Sequence, residues 1–494
     1  MYSIPEYLES KTNKYIFWAV LIAVQAVWII NSDGFYFIDD SSHYNYNRHF
    51  LDSFAQSTGA WHRMGRVLLF ALPAQFGLKG VQIVSAVIFI LTIYTAYRIL
   101  KLKNVPYAEW VIPVIGFQPV LFNISYSALA ELPAGFLIIL SFYYYLKDNP
   151  KAALLTSSLV FIFRTEYSYV CAVYFLIYAY RKNFNVLYIA AAGPVLWYLY
   201  TTIITLNPTQ FFYDMTLHSR LLKIDAGVDW YYYLLHSPKI FGFIQAAFFI
   251  SALIIIYLKK TLKDYWLLVL FFFGGIAVQT LLALKGLNLT CSIGQLRYVG
   301  VVGPAFGIIA AAGLGYFYSR LNGKFYPAFL SLLILFIMFI TGPFSTPYHN
   351  KFEIEKVSDD IVDLVNSSYP NSRIITNMHQ VANALDESQT GGKIFTLLSQ
   401  KNLNNSKDAI VVWCSYLEGS PFVDDDVTLK EIESIPGIVK VKEYSGTVNN
   451  CVFAPVYMYR KEGDEYKWSR EFIDYMIADQ TTWENIDIRV YLKP

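Results

Sequence analysis

Apolar residues come in long, nearly uninterrupted runs over roughly the first two thirds of this chain and in short ones after that. A helix needs about 20 mostly apolar residues to cross the hydrocarbon of a bilayer, and fewer where the membrane thins around it. By that measure about eleven spans are predicted, at Tyr15 to Asn31, Val81 to Leu100, Tyr107 to Phe122, Leu132 to Leu146, Ala152 to Phe163, Tyr167 to Tyr180, Val186 to Leu206, Ile240 to Leu258, Tyr265 to Leu284, Tyr298 to Tyr318 and Phe325 to Thr341. Beyond Thr341 the runs shrink to strand length, as in Arg373 to Thr376, Ala409 to Cys414, Ile438 to Lys442 and Cys451 to Tyr459. Between them, Val357 to Asn366 and Val427 to Ile435 carry helical spacing. The expected architecture is mainly α: a polytopic helical bundle over residues 1–341 and a soluble α/β domain over residues 342–494. Gly342, Pro343 and Pro347 mark the junction.

Charge orients this arrangement. Arg98, Lys101 and Lys103, then Lys147 and Lys151, Arg181 and Lys182, Lys259, Lys260 and Lys263, and finally Arg320 and Lys324 occupy alternate short loops. Short cytoplasmic loops are enriched in Lys and Arg, so these loops and the N-terminus are expected in the cytoplasm. The C-terminal domain is then extracytoplasmic. Glu6, Glu9, Lys11 and Lys14 precede the first run and no small-residue cleavage site follows it, so that run is expected to stay as a span.

Composition agrees with a multi-pass membrane protein. Of 494 residues, 55% are hydrophobic and 15% charged, against roughly 25% charged in soluble domains. The formal net charge of +2 and the scattered basic residues give no nucleic-acid surface. Aromatics make up 18% of the chain, which suits wide contact with the membrane interface. No zinc-ligand spacing, P-loop, dinucleotide fingerprint or nucleophile elbow occurs. Cys414 and Cys451 would form a disulfide in an oxidising compartment, or serve as small buried residues.

The candidate chemistry lies on the extracytoplasmic side. Residues 31–66 form the predicted catalytic loop, with Asp39 and Asp40 adjacent in FIDDSSHY. One of the two would cap a helix starting at Ser41. If the segment after Ile38 is helical, Asp39 and His43 share a face. Such a carboxylate suits proton abstraction from a hydroxyl, while the pair would instead hold a divalent cation. Glu131 enters an apolar span, which marks a functional site or the neutralisation of a nearby arginine. In FRTEY, Arg164 and Glu166 either pair locally or bind phosphate, for which the guanidinium fork is well shaped. The long loop 207–239 contributes His218 and Arg220, with Lys223, Asp225 and Asp229 nearby. Arg297 and Tyr298 head the small-residue span GQLRYVGVVGPAFGIIAAAG, and Lys285 is a weaker phosphate candidate. His62, Arg63 and Arg66 either meet the acceptor or the phosphate at the edge of this site or serve as interfacial anchors, the second being the favoured reading.

The order of these features resembles the GT-C superfamily of membrane glycosyltransferases, of the protein O-mannosyltransferase and aminoarabinose-transferase type. The likeness rests on Asp39, Asp40 and His43 in the first external loop, Ala130 to Ala134, Arg164 to Glu166, and the late Arg297, Tyr298 and Pro304 with Ala310 to Gly313. It departs in having Asp40 where Glu is commoner. The resemblance implies an inverting glycosyltransferase whose donor is a polyprenyl-phosphate-linked sugar and whose acceptor is a glycan, protein or lipid hydroxyl, and the tail-domain architecture favours the plasma membrane of a prokaryote over an endoplasmic reticulum. Asp39 would be the general base, Asp40 and His43 would orient it or bind acceptor, and Arg164, Arg297, His218 and Arg220 would hold the departing phosphate. No cofactor is required, and a divalent cation is optional because the leaving group is already a phosphate ester. The rival is a transporter or flippase of lipid-linked sugar. Transporters commonly carry inverted repeats and polar groups at mid-membrane, whereas the polar residues here collect at one surface.

Overall fold

A computed structural model describes residues 6–36, 38–50, 58–59, 63–221, 228–258, 262–284, 295–320, 325–346, 348–349, 351, 353–378, 381, 384, 395–415, 427–451 and 481–494. The chain divides into two compact units. The first holds Met1–Asn31 and Tyr46–Tyr348, and the second holds Ser32–Asn45, His349–Cys451 and Gln480–Pro494.

The first unit is helical. Five helical stretches among the described residues are long and apolar enough to cross a membrane: Lys14–Asn31, Gly77–Leu102, Phe184–Thr205, Asp264–Ala283 and Leu296–Tyr318. Shorter apolar helices include Met64–Ala74, Glu131–Leu146, Pro150–Ile162, Phe243–Leu258 and Phe329–Thr341. Among the described residues, the eleven expected spans correspond to five stretches of that length and to several shorter apolar helices. Burial ranks the long ones. Leu296–Tyr318 is 94% buried, whereas Lys14–Asn31 and Phe184–Thr205 are 22% and 17% buried. The first of these is the centre of the unit, and the other two line its outside.

The centre is built for close approach. Small residues run through the Gly303–Tyr318 helix, and a Cβ at Gly313 would lie 2.6 Å from the Phe248 carbonyl oxygen on the Phe243–Leu258 helix. Dispersion forces at such contacts replace the hydrophobic drive that is missing between helices in lipid.

The predicted span Tyr107 to Phe122 is broken into a 3-10 turn at Ala108–Trp110 and two short helices, Val111–Gly116 and Pro119–Ile124. Pro119 disfavours helical geometry in the residue before it, and Gln118 accordingly sits at φ −68°, ψ 125°. Backbone groups freed in an apolar interior must find partners. The Phe117 carbonyl accepts from Gln245 Nε2 at 3.2 Å, and Gln118 Nε2 donates to the Gly303 carbonyl at 3.0 Å.

The second unit carries a five-stranded sheet in the order β2-β1-β3-β5-β4, with β1 Arg373–Thr376, β2 Phe395–Leu397, β3 Ala409–Cys414, β4 Val439–Cys451 and β5 Thr481–Lys493. β1 pairs in parallel with β2 and β3, while β5 runs antiparallel to β3 and β4. Every residue of β3 is buried. Ile410, Val412 and Cys414 pack with Ile361, Val362 and Val365 of the Glu353–Ser368 helix. Val411 and Trp413 pack on the other face with Leu403 and Ile432. A strand covered on both faces reads as a continuous apolar run, as AIVVWC does.

The two readings of the tail cysteines part here. Cys414 is a small buried residue of β3 and is not bridged to Cys451. The register explains why: Cys414 lies opposite Ile488 of β5, but Cys451 lies opposite Thr481, seven positions away. At about 3.3 Å per residue the two cysteines stand far beyond the roughly 4 Å between Cβ atoms that a bridge needs. The strand expected at Cys451 to Tyr459 lies almost wholly outside the described residues.

Candidate active site

Residues 31–66, read from sequence as one loop, contain two helical elements. The Ile38–Arg48 helix begins three residues earlier than Ser41 and places both Asp39 and Asp40 in its first turn. Acidic side chains there favour the positive end of the helix dipole. Asp40 is 1% exposed, and its Oδ2 accepts the Tyr36 N–H at 2.9 Å, closing the chain onto the helix start. Asp39 is half-buried in the same turn, and His43 lies one turn further along. The segment is tied within its own unit. Gly34 N donates to the His349 carbonyl at 2.5 Å, His349 N donates to Ser32 Oγ at 2.9 Å, and the rings of Tyr36 and His349 pack 5.7 Å apart.

The first unit gathers five of the predicted residues into one buried cluster. Glu131 opens the Glu131–Leu146 helix and ion-pairs with Arg164 through Oε1, and Arg297 Nε lies 3.5 Å from the same oxygen. Arg164 Nη1 lies 2.9 Å from Glu166 Oε1. The guanidiniums of Arg164 and Arg297 sit 4.7 and 5.4 Å from the centroid of the Tyr298 ring. Tyr167 Oη fixes that segment by donating to the Tyr298 carbonyl at 2.6 Å. Glu131 thus neutralises arginines, and Arg164 pairs both locally and across helices.

Arg63 joins this cluster. Its Nη1 lies 3.3 Å from Glu166 Oε2 and donates to Thr165 Oγ1 at 3.1 Å. Arg66 is no anchor, being fully buried, with Nη1 donating to Asn47 Oδ1 at 3.3 Å. Among the described residues, three arginines, 63, 164 and 297, therefore face two glutamates in a largely buried site. Burial alone would raise the Glu166 carboxyl, but Arg63 and Arg164 outweigh it and hold the group below its ordinary 4.5. Burial would likewise lower the Arg164 guanidinium, and Glu131 and Glu166 reverse that and raise it. Fixed cations in a low-dielectric site are what an incoming or departing phosphate needs.

The loop expected at residues 207–239 is largely helical, with helices at Gln210–Leu221, Tyr232–Leu235 and Ser237–Phe241. His218 and Arg220 lie on the first of these. His62, Lys223, Asp225 and Lys285 lie outside the described residues. Sequence reasoning passed over Asp214, a buried carboxylate on the same helix that accepts from Gln210 Nε2 at 2.7 Å. Burial raises its pKa against hydrogen bonds from Gln210 and Thr58. The available signal was an Asp between aromatic and Met residues, in FFYDM. Among the described residues, no three His, Cys, Asp or Glu side chains converge to hold a metal ion.

No protein-family profile and no curated protein matches the sequence. Its structure is similar to the crystal structure of ArnT from Cupriavidus metallidurans bound to undecaprenyl phosphate, with a TM-score of 0.52 and 12% identity over 83% of this chain and 94% of that one. The apo state of ArnT gives a TM-score of 0.51 at the same identity and coverage. The cryo-EM structure of the arabinofuranosyltransferase AftD from Mycobacteria gives 0.42 at 10% identity, over 96% of this chain and 40% of that one. At such identities the likeness to ArnT is one of fold alone.

Proposed function

We propose that the protein is an inverting glycosyltransferase that moves a sugar from a polyprenyl-phosphate carrier to an acceptor hydroxyl on the extracytoplasmic face. The observation that carries the reading is the largely buried cluster of three arginines, Arg63, Arg164 and Arg297, around Glu131 and Glu166. A fold shared with a structure that holds undecaprenyl phosphate supports the same donor class.

In this reading Asp39 takes the proton of the acceptor hydroxyl as its oxygen attacks the anomeric carbon. The new carbon–oxygen bond forms while the bond from that carbon to the phosphate oxygen breaks. Attack from the face opposite the leaving group inverts the configuration. The departing polyprenyl phosphate carries the electron pair away, and Arg164 and Arg297 stabilise the charge that grows on it. Asp40 supports the base by fixing the first helical turn through Tyr36, and His43, His218 and Arg220 serve acceptor or phosphate. The acceptor is a glycan, protein or lipid hydroxyl, the C-terminal α/β domain stands outside the membrane, and the reaction needs no cofactor. Should a divalent cation take part, Asp39 and Asp40 are the ligands, and a chelator titration of transfer reads this out.

The test is transfer from labelled undecaprenyl-phosphate sugars by purified protein, with Asp39→Asn beside wild type. A positioned general base contributes about 10²- to 10⁴-fold, so the variant should lose that much transfer while retaining thermal stability and carrier binding. Wild-type activity in Asp39→Asn would remove the base assignment. A wild type that moves the lipid across vesicles without turnover would replace the enzyme by a flippase.

A further inference from the structure

Gln295 is 1% exposed, and neither its side-chain oxygen nor its nitrogen makes a hydrogen bond among the described residues. It occupies the position that caps the 3-10 turn Leu296–Val302, where a polar side chain normally binds a free backbone N–H. Its amide does not do so. The backbone there is extended, at φ −63° and ψ 129°, no side-chain cap bond forms, and the residue's carbonyl takes the Tyr298 N–H at 3.2 Å. A buried amide with both ends unsatisfied costs stability, and a native protein that keeps one calls for an explanation.

Other atoms of the arginine cluster share this state. Glu131 Oε2 accepts nothing and Arg164 Nε donates to nothing among the described residues, and both are buried. With Gln295 two residues before Arg297, the turn and its ion partners present acceptors, Gln295 Oε1 and Glu131 Oε2, as well as donors, among them Gln295 Nε2 and Arg164 Nε. A phosphate oxygen can satisfy donors only. Hydroxyl groups both donate and accept, so the complement of this set is a polyhydroxylated ligand.

We infer that Gln295, with Glu131 Oε2, recognises the hydroxyls of the donor sugar, leaving its phosphate to the arginines. This rests on the polyprenyl-phosphate-sugar reading above. It makes Gln295 a specificity residue for the sugar and not for the carrier.

The test compares wild type with Gln295→Leu, which keeps the volume and removes both polar atoms. Full-length protein in nanodiscs is titrated with bare undecaprenyl phosphate and with undecaprenyl-phosphate glucose, mannose, galactose and arabinose. Losing a designed hydrogen-bond pair leaves ligand groups unmatched and weakens binding by about 10- to 100-fold. The expected result is that much loss in affinity and kcat/KM for the sugar lipid that wild type prefers. Affinity for the bare carrier and Tm should be unchanged or higher. Unaltered sugar-lipid binding in a more stable variant overturns the inference, because the amide was then only a buried cost. Equal losses for bare and sugar-bearing carrier overturn it in favour of a phosphate contact. A wild type that binds the carrier but prefers no sugar lipid over it overturns the sugar assignment and leaves the carrier reading standing. A wild type that binds none of these lipids overturns both. If Gln295→Leu does not fold, Gln295→Met is measured against the same outcomes.

Discussion

At the residue scale, the balance of the arginine cluster decides what each substitution does. A buried ion pair gains little over an apolar replacement, but removing one partner strands the other charge in a medium that cannot solvate it, at about 3–5 kcal/mol. Arg164→Ala leaves Glu131, itself 1% exposed, without its main partner. The single variant should therefore lose several degrees of Tm, and Arg164→Ala with Glu131→Gln should recover much of it. Thermal melts of both in one detergent check this, and a double mutant no more stable than the single would refute the dependence. Transfer should stay low in both variants, because the cation that faces phosphate is missing from each.

At the element scale, helix approach positions the charges. Gly135 lies one turn after Glu131 on the Glu131–Leu146 helix, and a Cβ there would sit 2.7 Å from the Val301 carbonyl oxygen. Val301 belongs to the same 3-10 turn as Arg297 and Tyr298. The missing side chain thus lets the helix carrying Glu131 close on the turn carrying Arg297. Gly135→Ala should push the two apart by a few tenths of an ångström and cost about 1–3 kcal/mol, as overpacking does. A fall in Tm together with a fall in transfer would be seen in parallel melts and assays, and unchanged values for both would show that the turn moves freely. The small-residue pattern in GQLRYVGVVGPAFGIIAAAG announced close packing, but it did not name Val301 or Phe248 as the surfaces approached.

At the scale of the whole molecule, the alternation of basic loops predicts which loops face the cytoplasm. With the four cysteines replaced by serine, Asp33→Cys should react with an impermeant maleimide on intact cells. Lys101→Cys should react only after the membrane is opened. The reverse pattern would invert the topology and place the proposed chemistry in the cytoplasm. Both positions are exposed, so reactivity reports sidedness and not burial.

Much of the fold was legible because its causes are local. Uninterrupted apolar length makes a membrane helix whatever its neighbours, and AIVVWC and RIIT were recognisable as strands from composition and run length. β5 was passed over although Ile486, Ile488, Val490 and Leu492 alternate with polar residues, the ordinary signal of a half-buried strand. The break at Gln118 was also written locally, in the proline that follows it, and was hidden by the apolar run around it. The site was legible by residue type, since Glu131, Arg164, Glu166, Arg297 and Tyr298 each stood out as polar groups at the ends of apolar runs. Sequence by itself determined that these groups exist and that burying them demands partners, because charge in hydrocarbon is costly wherever it falls. Only the tertiary structure decided which partners: that Arg63 meets Glu166, that Glu131 serves two arginines, and that the Gln295 side-chain amide bonds to none of the described residues. Pairings between positions 33 to 166 residues apart follow from how helices pack, which no local pattern encodes.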